Sequence, residues 1–454
     1  MLEHIPYIMS GTLIGYVAGL IPGVGNTITL LMCYPLIMDA SLLNMLLFYV
    51  AMISVSQFSG SIVATVFGVP GESSSMPAVA EGKKLFMRGL GNFAISNAAI
   101  GSVLGSIMTV GAVFLILPWA LDLVKTYSST TVRLSILLVV TVSVIFLFGK
   151  SKTNNAVVFF IGSCLALIGF HEIGAFTFMQ NIIPYDTFPK LFGGLPFFPV
   201  VVSLYAFPLL LNSREQFKNF ASGKVYDDKN SVVEHLKEFT RNIRSALRGG
   251  AFGCIVGFIP HMGTMLCSTV SYIWEQRVGK KNKTFRDDGD IKSLVAAETA
   301  NNSSIFTGIL PLLLIGIPTS ASEALLLGIA ETNIYVINFT TTIETDLFHT
   351  LVIGFVITNI TAFFLSWPAV RYVNLLTRIN MNYIFYLTLA ILAVLVYYTG
   401  SIAMDELFYV AVMLALLPLG YLLRKSEPLV LLVAFLLTDK IMESGFAFYQ
   451  IHFG

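Results

Sequence analysis

Apolar residues run through this chain in stretches of about 17–25, the length that crosses a bilayer core, separated by short polar gaps. The pattern continues from end to end and predicts an all-α polytopic membrane protein. Spans are expected near 50–82, 91–119, 133–149, 155–170 and 192–212 in the first half, and near 293–330, 348–368, 381–400, 405–423 and 427–446 in the second. Two further apolar stretches, 8–38 and 249–275, are broken at their middles by Leu20-Ile-Pro-Gly-Val-Gly25 and Ile259-Pro-His-Met-Gly263.

The two breaks are versions of one another. Gly11, Gly15, Gly19, Pro22 and Gly25 recur as Gly249, Gly253, Gly257, Pro260 and Gly263, at a spacing of 238. A second pair follows at a spacing of 248: Gly60 matches Gly308, and Gly68-Val-Pro70 matches Gly316-Ile-Pro318. Broken hydrophobic segments at corresponding places in two halves point to the binding site of a secondary transporter.

Charge adds a direction. The polar segment Ser213–Arg248 carries eight Lys/Arg against five acids, and the loop Arg277–Lys292 carries six; both are expected in the cytoplasm. Only 249–275 lies between them, so that stretch must enter and turn back. Two arms of about 12 helical residues reach roughly 18 Å, near the bilayer midplane. The flanks of 8–38, Met1–Ser10 and Pro35–Asn44, hold no Lys or Arg and are expected outside. The organisation predicted is a first transmembrane repeat (1–212), a cytoplasmic connector (213–248) and a second repeat (249–454). Each repeat has one re-entrant hairpin and five transmembrane segments, some discontinuous, and the repeats have inverted topology. Twelve simple spans without hairpins are the alternative.

Composition removes other classes. Hydrophobic residues make up 56% and charged residues 12%, with mean hydropathy +0.79, outside the range of a soluble domain. A net charge of +1 argues against nucleic acid as a partner. The four cysteines lie in apolar segments without metal-ligand spacing and read as buried hydrophobes. No basic region precedes the first apolar run, so no cleavable signal peptide is expected. Thirty-six glycines suggest close helix packing as well as breaks.

Helix ends inside a membrane leave N–H or C=O groups that need partners. N-terminal ends suit an anion, and carbonyl ends suit Na⁺. Candidate cargo ligands are Gly23, Gly25, Asn26, Thr27, Gly71, Ser73 and Ser74 in the first half, with His261, Gly263, Thr264, Thr319 and Ser320 in the second. Candidate Na⁺ ligands are Glu298, Asn301, Asn302 and Ser303, an acid and three small polar residues inside an apolar context. Na⁺ is the coupling ion expected, and no other cofactor. Other readings stay open: kinks that only permit packing, Glu298 as a helix cap, Glu72 and Glu323 as water-facing loop acids, His261 as a polar turn residue. His-Glu-x-x-His is absent and Ser73–Ser75 has no clear intramembrane base, which disfavours an enzyme; a passive anion channel is the other rival.

The motifs resemble the large membrane subunit of the tripartite tricarboxylate transporter family, the TctA-type permeases. The residues that carry the resemblance are Gly19-Leu-Ile-Pro-Gly-Val-Gly25, Phe58-Ser-Gly-Ser61, Gly68-Val-Pro-Gly71, Glu81-Gly82, Gly257-Phe-Ile-Pro260, Tyr272, Ala297-Glu-Thr-Ala-Asn-Asn302 and Leu310-Pro311 with Gly316-Ile-Pro318. The resemblance implies Na⁺-coupled uptake of a small organic anion of the di- or tricarboxylate class at the bacterial inner membrane. It also implies a small four-helix membrane subunit and a periplasmic solute-binding protein; a homo-oligomer is a further possibility. Three positions depart from the family pattern: Glu72 replaces a small residue, and His261 and Thr319 stand where glycine follows proline.

Overall fold

Serine, aspartate and glycine set the ends of the two most deeply buried helices. The computed structural model describes residues 2–453 except 22, 127–129, 148–150, 169–189, 192–193, 217–231, 259–262, 317, 319, 333–344 and 377–380. Among the described residues the structure is helical, without a strand. The order is α1 (Ile5–Leu20), α2 (Gly25–Met32), α3 (Tyr34–Ile37), α4 (Leu42–Phe67), α5 (Lys83–Met87), α6 (Gly91–Thr126), α7 (Thr130–Leu147), α8 (Lys152–Ala166), α9 (Phe197–Val201) and α10 (Phe207–Gln216). It continues with α11 (Val232–Thr240), α12 (Ile243–Val256), α13 (Gly263–Lys281), α14 (Ile291–Ile315), α15 (Ala321–Thr332), α16 (Thr345–Leu376), α17 (Met381–Ile402), α18 (Glu406–Leu422) and α19 (Pro428–Phe453).

Helix α4 starts where the Ser41 side chain accepts the Asn44 N–H at 3.3 Å, and α14 where Asp290 accepts that of Ser293 at 3.0 Å. They stop at Gly68 (φ 73°, ψ 26°) and Gly316 (φ 69°, ψ 26°), left-handed conformations that a side chain would resist. Gly68 returns its N–H to Ala64 at 3.0 Å and Gly316 to Leu312 at 2.9 Å. Lys83 Nζ donates to the Val66 carbonyl at 2.7 Å, closing another of the orphan acceptors at the end of α4.

A glycine stripe packs on each of these helices. Cβ atoms on Gly11, Gly15 and Gly19 of α1 would fall within 3.0 Å of the backbone of Phe48, Met52 and Ser56 on α4. Cβ atoms on Gly249, Gly253 and Gly257 of α12 would do the same at Ala296, Ala300 and Ser304 on α14. The glycines correspond at the spacing of 238 and their partners at 248, the two spacings in the sequence motifs. Backbones approach this closely only where no side chain intervenes.

Two compact units form: Met1–Leu121 with Ser213–Tyr383, and Asp122–Asn212 with Ile384–Gly454. Each takes one piece from either half of the sequence. The first unit contains both glycine stripes and all the breaks. In the second unit, Gly162 of α8 lies against Leu431 and Ala434 of α19, and Thr438 donates to Ser163 Oγ at 2.9 Å.

Among the described residues, five helices are long and apolar enough to cross a membrane: Leu42–Phe67, Gly91–Trp119, Phe348–Ser366, Asn382–Ile402 and Glu406–Lys425. The expected span 50–82 instead begins at Leu42 and ends at Gly68, followed by a 3-10 turn (Ser73–Ser75) and a π turn (Ala78–Gly82). The expected span 293–330 is likewise two helices, α14 and α15, because Gly316 interrupts it. Across the second break, Arg248 Nε and Nη2 reach the Glu275 carboxylate at 2.9 and 2.7 Å. These residues are 27 apart, so the chain doubles back between α12 and α13. Cys33, Cys254 and Cys267 are buried as expected, but Cys164 is exposed on the open face of α8.

Candidate functional site

Glycine brings the first-half breaks against the middle of α4. A Cβ on Gly71 would strike the Gly19 carbonyl and Gly60 Cα, so the segment after α4 lies on the end of α1. Gly60 faces Ser75 Oγ and the Glu72 backbone nitrogen, 3.2 and 3.3 Å from its Cβ position. Gly25 opens α2 at φ 62°, and its Cβ would meet Glu72 Oε1 and Oε2 at 3.7 and 4.0 Å. The Glu72 carboxyl also receives the backbone N–H of Asn26. Asn26 is buried and accepts, at Oδ1, a hydrogen bond from Ser56 of α4. Glu72 is therefore no loop acid turned to water; it points at the start of α2.

Gln57 and Ser61, one turn apart on α4, face α14. Gln57 Oε1 accepts from Ser74 Oγ and, at 3.0 Å, from Asn301 Nδ2. Ser61 Oγ donates to Glu298 Oε2 at 2.6 Å. Asn302 Nδ2 donates to the Glu298 carbonyl at 3.3 Å. Glu298, Asn301 and Asn302 stand at i, i+3 and i+4, and hence on one face. All three are fully buried, and Glu298 Oε1, Asn301 Oδ1 and Asn302 Oδ1 have no hydrogen-bond partner among the described residues. A buried acceptor without a donor costs roughly 1–3 kcal/mol, more when charged. Three on one face form a set that a hard cation, which takes oxygen ligands, would satisfy. Glu298 does not cap α14, since Asp290 holds that position.

The other candidates divide. Ser303 turns away: its hydroxyl donates to the Gly250 carbonyl on α12 at 3.0 Å, because one residue along a helix rotates a side chain by about 100°. Ser320 accepts the Glu323 N–H at 3.2 Å and lies 3.2 Å from Ser322 Oγ, which pairs with Tyr49 of α4 at 2.9 Å. Glu323 is thus a buried residue in the first turn of α15, not a loop acid. Ser268 on α13 donates to the Ser74 carbonyl at 2.9 Å, tying the helix after the second-half break to the first-half break. Gly23 (φ 84°) and buried Thr27 flank the start of α2. Gly263 opens α13 at φ 46°, and partly exposed Thr264 makes no hydrogen bond to this group among the described residues. Ser73 starts the 3-10 turn, while His261 and Thr319 lie outside the described residues.

Residues 5–433 match the profile of the tripartite tricarboxylate transporter TctA family. The chain belongs to that family. It is 26% identical over 333 residues to the "Uncharacterized 52.8 kDa protein in TAR-I ttuC' 3'region" of Agrobacterium vitis, covering 72% of this chain and 63% of the relative. It is 36% identical over 76 residues to the "Uncharacterized protein in TAR-II ttuC' 3'region" of the same organism, covering 17% of this chain and 31% of that protein. The chain thus spans less than two thirds of the length of these relatives. No solved structure matches it.

TctA membership makes this a membrane protein of a transporter family whose members generally work with a small membrane subunit and a substrate-binding protein. In this TctA-family chain, Glu81, Gly82 and Tyr272 carried the resemblance without a visible role. The structure gives them one. Glu81 is fully buried; its Oε1 accepts from Tyr272 at 2.8 Å and Gln276 at 3.2 Å, and its Oε2 from the Asp290 N–H at 2.9 Å. Lys84 lies 3.5 Å from it. Gly82 lets the π turn press against Thr65 of α4. One acid therefore joins the segment after α4 to α13 and to the cap of α14. Burial, reinforced by the Glu81 charge, holds the Asp290 carboxyl above its ordinary pKa, although its bonds to Ser293 oppose this.

Proposed function

We propose that this chain is the permease of a Na⁺-coupled uptake system for a small organic anion of the carboxylate class. It works by alternating access in the bacterial inner membrane, with a small four-helix membrane subunit and a periplasmic solute-binding protein. Its halves are inverted repeats whose hairpins, 8–38 and 249–275, re-enter the bilayer. The observation that carries the reading is the trio of buried, unpartnered oxygens on α14: Glu298 Oε1, Asn301 Oδ1 and Asn302 Oδ1. Sodium there would neutralise a carboxylate whose bare charge is expensive inside a membrane, and would satisfy both amides. The cargo is placed beside it, where the breaks gather on α4. Anion and cation then move together with little net charge.

The test is Na⁺-dependent stabilisation of the purified protein in nanodiscs, with K⁺ as control. Wild type should be stabilised by Na⁺ in a saturable manner. Asn301→Ala and Asn302→Ala should each raise the half-saturating Na⁺ concentration about 10- to 150-fold, the equivalent of losing roughly 1.5–3 kcal/mol from a bond to a charged group. A wild type that does not distinguish Na⁺ from K⁺, or an unchanged midpoint in both variants, would remove the ion from this site.

A further inference from the structure

The geometry points to Glu72 as the residue that sets the charge class of the cargo: a carboxylate with a single anionic group and a hydrogen-bond donor, hydroxyl or ammonium, in place of a second carboxylate. The inference rests on the carboxylate-permease reading and narrows it.

The start of α2 is the natural seat for an anion in the first half, and it is already taken. The atoms in front of Gly25 are the two carboxylate oxygens of Glu72, and the Asn26 N–H is directed at the same group. The second half differs. Position 320, which corresponds to 72 at the spacing of 248, is a serine whose hydroxyl caps α15. Only the first half therefore puts a carboxyl group at this position itself; in the second half the acid is Glu323, three residues further on in the first turn of α15. A cargo carboxylate brought to the first-half seat would meet the Glu72 carboxyl group within a few ångströms, and two carboxylates there would repel in a medium that screens poorly.

The seat is nevertheless not saturated. Glu72 Oε1 has no hydrogen-bond partner, and neither does Ser75 Oγ, which is fully buried. Both groups lie against Gly60: Ser75 Oγ is 3.2 Å and Glu72 Cβ 3.7 Å from its Cβ position. Each is an open hydrogen-bonding position at this break, one a carboxyl oxygen that accepts a donor and the other a hydroxyl. A cargo hydroxyl or ammonium would give its hydrogen to Glu72 Oε1, while Ser75 Oγ takes a second hydrogen or donates to the cargo oxygen. The cargo's one carboxylate then lies away from Glu72.

Binding to the full-length chain in nanodiscs at saturating NaCl separates the classes, with L-lactate, L-serine, succinate, L-malate and citrate as probes. Wild type should bind lactate or serine at least about tenfold more tightly than succinate, malate or citrate. Lactate against serine tells hydroxyl from ammonium. Glu72→Gln, which keeps the size and an acceptor for the Asn26 N–H, and Glu72→Ala should each shift that ratio about tenfold or more toward the di- and tricarboxylates. A wild type that prefers succinate, malate or citrate, or a ratio unmoved by both variants, would overturn the role of Glu72 while leaving Na⁺-dependent carboxylate binding intact. Absence of binding by every probe would overturn the carboxylate reading and this inference together.

Discussion

Ser61 holds a buried acid with a single hydroxyl. Its bond to Glu298 Oε2, at 2.6 Å, is a short hydroxyl bond to this carboxylate, which the Asn301 side chain also approaches. In Ser61→Ala the Glu298 carboxylate would lose its hydroxyl donor, so Na⁺-free protein should lose about 1.5–3 kcal/mol of stability. The loss should be smaller in Na⁺, because the ion would compensate part of the exposed charge. Unfolding of wild type and variant with and without Na⁺ checks this; equal losses in both media would uncouple the ion from Glu298. At this scale the sequence was partly legible. Glu298, Asn301 and Asn302 stood out because polar residues are rare in apolar runs. Gln57 and Ser61 are equally visible in α4, but their partners lie 244 and 237 residues away, and no local pattern encodes that pairing. Ser303 was grouped with its neighbours by adjacency, whereas helical rotation sends it to α12.

Between elements, glycine determines how closely helices approach. Gly15 and Gly253 sit under backbone carbonyls of α4 and α14 with no room for a methyl group. Gly15→Ala and Gly253→Ala should each destabilise by about 1–3 kcal/mol, since neighbouring backbone must shift. Gly111→Ala is the internal control: nothing lies within 4 Å of its Cβ position, and it sits inside α6, so the substitution should be neutral or stabilise by up to about 1 kcal/mol. Thermal stability of the three variants in nanodiscs decides the matter, and a Gly15→Ala protein as stable as Gly111→Ala would show that the stripe tolerates side chains. The stripe was readable in the sequence because close approach admits only one residue type. The ends of α4 were not. The expected span 50–82 ran through the Gly68-Val-Pro70 break and began well past Ser41, because a cap and a left-handed stop are each set by a single residue, which a hydropathy window averages away.

For the whole molecule, the units cut across the sequence. Each takes one piece from the first half and one from the second, so neither half is a self-contained body. Within the first unit the closest backbone approaches nevertheless stay inside each half, α1 on α4 and α12 on α14. The charge pattern makes a further demand: loops without Lys or Arg flank the stretch 8–38, while loops rich in them flank 249–275, and corresponding loops should therefore lie on opposite sides of the membrane. Asp39 and Asp287 report on this, each exposed in one of those flanking loops. In a background with Cys164 replaced, since that thiol is exposed, Asp39→Cys should react with a membrane-impermeant maleimide in intact spheroplasts. Asp287→Cys should react only after permeabilisation. Reaction of both from the same side would mean that the halves share one orientation, and the stretch 249–275 would then have to cross the membrane like any other span.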